Sequence, residues 1–212
     1  ENILFTNNDS AYETAISLFN KGIKINAIID IREKVNSEIT NHAEKIGIKI
    51  YNSYTIVDTS GYRRIKEVSI MKLSKDGQSV TGSKIKIKCN CLGISGGWTP
   101  AVHLFTQSGG KLKFDNEDNV FIPSKYPSDQ ISIGSCNGEF DLNTIIKNFN
   151  QNIKNFLGID KTSFEDLKIN STKEILKKNI WLLPSDKAIG KCKPFVDFQN
   201  DATAKDIKLA LR

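Results

Sequence analysis

Arginine is nearly missing from this sequence. It occurs only as Arg32, Arg63, Arg64 and Arg212, leaving 26 lysines to carry a net charge of +6 over 212 residues. Lysine is a poorer phosphate fork than arginine, and these lysines are scattered among acids rather than clustered. The basic balance therefore predicts a lysine-rich surface and no nucleic-acid partner. Cysteine is sparse too. Cys89, Cys91, Cys136 and Cys192 form neither a C-x-x-C pair nor a zinc spacing, and the only histidines are His42 and His103. No resident metal is expected, and free thiols fit a reducing compartment. No apolar run approaches the roughly 18 residues needed to cross a bilayer, and the first residues lack a signal-peptide core. The expectation is a cytoplasmic protein with no membrane contact. The chain begins in a strand-like run and ends in a helix-like one, the pattern of a piece of something longer.

What remains is 39% hydrophobic and 25% charged, an ordinary globular composition. Ile3-Leu4-Phe5 reads as a short buried strand. Ser10 and Glu13 have capping-box spacing at the start of a helix with Ala11, Ala15, Leu18 and Phe19 on one face, which Gly22 ends. Ile25 to Ile31 is a second buried strand, Ser37 to Ile46 a short helix, and Ile48 to Tyr51 a third strand. Strand, helix and strand within about 30 residues make a right-handed βαβ unit, so this is half of a nucleotide-binding α/β domain. The period then changes to two over Tyr54–Val57, Ile65–Leu73 and Ile85–Leu92, with Asp76-Gly77 in a loop, which predicts an antiparallel meander. That alternation puts both Cys89 and Cys91 on the core face.

Gly93 to Pro100 reads as a glycine-rich turn leading into a helical stretch from Ala101 to Gln107 that Ser108-Gly109-Gly110 stops. The neighbours of His103 (Val102, Leu104 and Phe105) favour a packed structural histidine over a proton shuttle. Ile131 to Gly134 is expected to be another buried strand. It runs through Ser135-Cys136-Asn137-Gly138 toward a long amphipathic helix capped by Asp141. A strand, a small-residue turn and a helix N-terminus can offer backbone N–H groups to an anion or to polar cofactor oxygens. After Gly158 the sequence is polar and irregular until Phe195-Val196-Asp197-Phe198 and a capped helix at Thr203.

The first βαβ loop is where a dinucleotide-binding chain shows G-x-G-x-x-G or G-x-G-x-x-A. Here the three positions are Thr6, Asn8 and Ala11, so the small third residue is kept and both phosphate-facing glycines are absent. Asp30 ends the second strand, where a ribose-binding acid would stand. An acid there is equally a solvated strand-end charge, and the lost glycines argue against ribose binding. No Ser/His/Asp, Cys/His or paired-carboxylate arrangement is legible, so no catalytic residue is assigned.

Three segments together carry a resemblance: Asn7 to Tyr12, the long Ser95 to Leu112, and Phe195 to Asp201. They resemble the alpha subunit of heterotetrameric sarcosine oxidase, in the family's order and across essentially the whole chain. The resemblance implies an α/β, Rossmann-like dinucleotide-binding fold of the two-domain flavoprotein reductase type with an antiparallel β-meander. It implies an inserted Rossmann-like domain at 1–93 with a degenerate nucleotide loop, a return segment of the parent dinucleotide domain at 94–158, and a linker opening a C-terminal region at 159–212. The parent complex, on this resemblance, demethylates sarcosine to glycine with oxygen. Its alpha subunit binds NAD, the beta subunit carries FAD and FMN, a small subunit holds zinc, and tetrahydrofolate accepts the one-carbon product. Beta, gamma and delta subunits would be the partners, and the fragment alone would be inactive. The segments expected to touch cofactor are Trp98, Thr99 and Pro100, with Ser135, Cys136, Asn137 and Gly138. The alternative is a free-standing NAD(P)H-dependent oxidoreductase domain that binds its nucleotide through the asparagine-rich loop.

Overall fold

Parallel strands need a covering layer on each face, and the first ninety-six residues supply both. In this computed structural model, which describes residues 1–35, 37–127, 129–158, 180, 182–197 and 199–211, the chain divides into two compact units, Glu1–Gly96 with Leu176–Arg212 and Gly97–Ile175.

The first unit begins β1 (Asn2–Thr6), α1 (Ser10–Asn20), β2 (Ile25–Asp30), α2 (Glu38–Lys45) and β3 (Ile50–Asn52). Three antiparallel strands follow, β4 (Tyr54–Gly61), β5 (Ile65–Leu73) and β6 (Val80–Lys88), before β7 (Cys91–Ser95) returns to the first sheet. That sheet has the order β3-β2-β1-β7 with every pair parallel. Side chains alternate across it. Ile3, Phe5, Ile29 and Ile31 pack with Val68, Ile70, Leu73 and Cys89 of the meander side. Ile25 and Ile28 pack with Tyr12, Ala15, Ala43 and Ile48 of the helix side. The result is three layers, helices on a parallel sheet on a meander, which is the Rossmann-like α/β fold with an antiparallel meander expected from the pattern. Each fully buried isoleucine contributes about 1.5–3 kcal/mol relative to exposure, so this sheet is the main source of cohesion.

Several boundaries differ from expectation for local reasons. The Ser10–Glu13 capping box does not form. Asp9 is the N-cap without a side-chain bond, and Asn8 Oδ1 instead accepts from Ser10 N (3.1 Å) and Ser10 Oγ (2.6 Å). The third strand starts at Ile50 rather than Ile48, because Ile48 turns under the helices. The expected run Ile85–Leu92 is two strands: the chain leaves the meander after Lys88 and enters the parallel sheet at Cys91. The alternation loses phase at that crossing, so Cys89 is fully buried and Cys91 is exposed instead of sharing the core. Burial pushes the Cys89 thiol up. Gly93 to Ser95, expected in a turn, are strand residues paired with Leu4 to Thr6, and the unit boundary falls after Gly96 rather than at 93.

The second unit holds α3 (His103–Gln107), a hairpin of β8 (Lys111–Asp115) and β9 (Val120–Lys125), a single 3-10 turn at Gly134–Asn137, and α4 (Leu142–Leu157). The strand expected at Ile131–Gly134 is not formed. Ile133 is extended, but Gly134 turns the chain with φ +77, and no strand among the described residues pairs there. Asp141 caps α4 as its sequence predicts, accepting from Thr144 N at 2.9 Å, and Gly158 ends it with φ 66. On α4, Ile145, Ile146 and Ile153 are half-buried, whereas Leu142, Phe156 and Leu157 are exposed.

The remaining described residues add a 3-10 turn at Ile189–Lys191, β10 (Phe195–Asp197), β11 (Ala202–Thr203) and α5 (Ala204–Ala210), capped by reciprocal Thr203 and Asp206 bonds. They group with the first unit, whereas 159–212 was expected to be a linker and a new region. Ile180 packs on the meander-side core, and ion pairs join Lys187 to Asp58 (2.7 Å) and Lys84 to Asp186 (2.9 Å). Residues 159–179 of that expected linker lie outside the described set. No helix among the described residues is long and apolar enough to cross a membrane.

Candidate functional site

An open parallel sheet binds ligands beyond the carboxyl ends of its strands, where neighbouring connections leave in opposite directions. In the first unit that place is the divergence of β1 and β7. The residues reaching it are Thr6 and the loop to Asp9, the end of β2 from Asp30 to Arg32, and Ser95.

The loop is closed by its own side chains. Thr6 Oγ1 accepts from Asn8 N at 3.1 Å and donates to Asn8 O at 3.0 Å. The fully buried Asn8 amide bridges the start of α1 to β7: its Oδ1 takes Ser10 N and Oγ, and its Nδ2 donates to Ser95 O (3.3 Å), Ser95 Oγ (3.2 Å) and Asn7 Oδ1 (2.8 Å). A glycine at this position would leave room for a pyrophosphate. Asn8 fills that room and consumes the Ser10 N–H at the start of the helix.

Asp30 is neither a ribose ligand nor a solvated strand end. It is completely buried, accepts Tyr12 OH at 2.8 Å and Arg32 N at 2.9 Å, and meets the Arg32 guanidinium through Nε (3.1 Å) and Nη2 (2.8 Å). Arg32 Nη2 also reaches Asp9 Oδ1 at 2.7 Å. Burial opposes the charge on Arg32, but hydrogen bonding to Asp30 and Asp9 outweighs it and holds the guanidinium protonated. Burial first, and then the Asp30 charge, push the Tyr12 phenol well above its ordinary range. The arrangement binds one internal cation between two acids and leaves one carboxylate in excess, which repels an incoming phosphate.

The Tyr12 shift fixes the sign of an alkaline prediction. A phenol whose folded value is raised contributes stability that is whole below its unfolded value near 10.0 and is lost as pH rises beyond it. Stability is expected to fall above pH 10 by up to about 1.4 kcal/mol per pH unit from this group. Denaturant midpoints measured across that range should decline less steeply in Tyr12→Phe.

In the second unit the structure brings Pro100 and Gly138 together: a Cβ placed on Gly138 would lie 4.0 Å from Pro100 Cγ and 3.0 Å from Ile122 Cγ2. Gly138 itself has φ 87, a conformation that favours glycine. Asn137 Oδ1 accepts Tyr126 OH at 3.1 Å, and Cys136 Sγ donates to Ile133 O at 3.2 Å. Trp98 and Thr99 are exposed, and Ser135 is exposed on the 3-10 turn. The N–H groups of Gly138 and Glu139 are spent within the turn on Ser135 O and Gly134 O. The Asp141 carboxylate already sits at the start of α4. His103 is exposed rather than packed, because it occupies the first position of a one-turn helix whose buried residue is Phe105. His42 is a surface group. Among the described residues no group of three or more His, Cys, Asp or Glu could hold a metal ion.

No family model matches the chain. Sarcosine oxidase subunit alpha of Corynebacterium sp. (strain P-1) is 27% identical over 216 residues, covering 97% of this chain and 22% of that protein. The Rhizobium meliloti (strain 1021) subunit is 27% identical over 219 residues, covering 99% of this chain and 20% of that protein. The chain resembles sarcosine oxidase alpha subunits over nearly its whole length. It spans about a fifth of the length of these relatives. Among solved structures, T. acidophilum thioredoxin reductase matches with a TM-score of 0.44 and 16% identity, over 64% of this chain and 47% of that one. A bacillithiol disulfide reductase from Staphylococcus aureus matches with a TM-score of 0.45 and 12% identity, over 66% and 47%. The assignment of the fold rests on the strand order and registers described above.

The Asp9–Arg32–Asp30–Tyr12 network is absent from the sequence reading. One signal could have exposed it: in an arginine-poor chain, Arg32 stands two residues after a strand-end acid, where a solvent-facing basic residue would more often be lysine.

Proposed function

We propose that the chain is an internal segment of an oxidoreductase of the sarcosine oxidase alpha-subunit type, and that its first unit serves as scaffold rather than as a cofactor site. The similarity over 97–99% of the chain supports the first half of this reading. The filled loop at Asn8 supports the second: the residues present do not fit a dinucleotide, and no step is assigned to one there. The whole enzyme, on this reading, oxidatively demethylates sarcosine to glycine, with NAD on the alpha subunit, FAD and FMN on a beta subunit, zinc on a small subunit and tetrahydrofolate as acceptor. The second unit belongs to the parent dinucleotide domain, and the exposed Leu142, Phe156 and Leu157 of α4 are suited to packing against the rest of that domain.

Two experiments address this. Tagged full-length protein should copurify with a flavin-bearing subunit, and isolation without one under conditions that preserve such complexes would count against the assignment. In the full-length protein, Asn137→Leu is expected to lower NAD retention while flavin content stays unchanged. Tyr126→Phe removes the same hydrogen bond without altering Asn137 and should retain more NAD. Full occupancy in Asn137→Leu removes the 135–138 turn from the site.

A further inference from the structure

Beyond the filled loop, the crevice of the first unit keeps an open space. A cavity of about 230 Å3 lies at the carboxyl ends of β1 and β7. Phe5, Ile31 and Ile94 wall it, and Ile180 and Leu183 of the returning segment complete the apolar lining. Thr6, Asn7 and Ser95 bring polar atoms to the strand ends. Among the described residues no lysine, arginine, histidine or acid lines it.

Its size and chemistry select a ligand. The volume exceeds the roughly 150 Å3 of an apolar cavity that admits benzene, and it falls below the roughly 300–1,000 Å3 of pockets for drug-sized molecules. One or two fused rings fit. Among the described lining residues a charged group would meet no counter-ion, which is costly, and the Asp9–Arg32–Asp30 cluster at the same strand ends carries one acid in excess. Thr6 Oγ1, Ser95 Oγ and Ser95 O each already accept from Asn8 and keep a second lone pair, which suits a single ring N–H or O–H. Ile94 is 71% exposed, which places it at the mouth rather than in the core.

We propose that this cavity binds a small neutral aromatic ring carrying one hydrogen-bond donor, and not a nucleotide. The site goes beyond the scaffold role, which requires no ligand here. The test is an amide NMR titration of the 212-residue chain with indole, and separately with AMP. Indole should shift the amides of Thr6, Asn7 and Ser95 with a Kd below about 1 mM, while AMP leaves them unmoved. Ile94→Trp should weaken indole binding at least tenfold by filling the mouth without overpacking the core. Leu183→Trp, acting from the returning segment, should do the same. Absence of indole shifts, shifts located elsewhere, equal binding of AMP, or undiminished binding in both folded variants would each overturn the proposal.

Discussion

Replacing Arg32 by Met is expected to destabilise the protein by about 3–5 kcal/mol, the usual cost of breaking a buried ion pair by removing one partner. Arg32 is 4% exposed and lies between Asp30, wholly buried, and Asp9. Without the guanidinium, two carboxylates are left in the sheet end, with Tyr12 OH and the residue-32 backbone N–H still donating to Asp30. Methionine keeps much of the stem's packing, so the loss is chiefly electrostatic. Arg32 also carries a buried Nη1 with no hydrogen-bond partner among the described residues, which slightly offsets the cost of its removal. Urea denaturation gives the magnitude. A double-mutant cycle with Asp30→Asn should recover part of it, since the unpaired charge is then gone. A loss under about 1 kcal/mol in Arg32→Met would mean that the ion network is not what closes the site.

Asn8→Gly restores the second glycine of the dinucleotide fingerprint and should lower stability by about 2–4 kcal/mol without creating a nucleotide site. The variant loses the bridge from Ser10 to Ser95, strands the buried groups that Asn8 satisfies, and adds backbone freedom to the unfolded chain. Space alone does not restore binding, because Asp9 and Asp30 still present an acid excess around Arg32. Thermal melts with and without millimolar NADH read both effects. A melt that rises with NADH would mean that Asn8 alone excludes the nucleotide.

The βαβ start, the meander and the missing glycines were legible because each depends on local pattern: period, turn chemistry and loop composition. The point where β6 ends and β7 begins was not. Cys89 and Cys91 keep perfect alternation in sequence, and only pairing of β7 with β1 breaks the phase. The strand expected at 131–134 failed for the converse reason, since an apolar run forms a strand only beside a partner. The Arg32 network was hidden because its members stand far apart in sequence, at Asp9, Tyr12, Asp30 and Arg32, and ordinary residue types carry it. In the second unit, the approach of Pro100 to Gly138 joins two segments that the family resemblance had named separately.

The central claim is that a nucleotide-binding fold here has its phosphate place taken by the protein's own side chains. Calorimetric titration of the 212-residue chain with NADH tests it most directly. The account predicts no saturable heat up to millimolar NADH, and saturable binding in the micromolar range would contradict it.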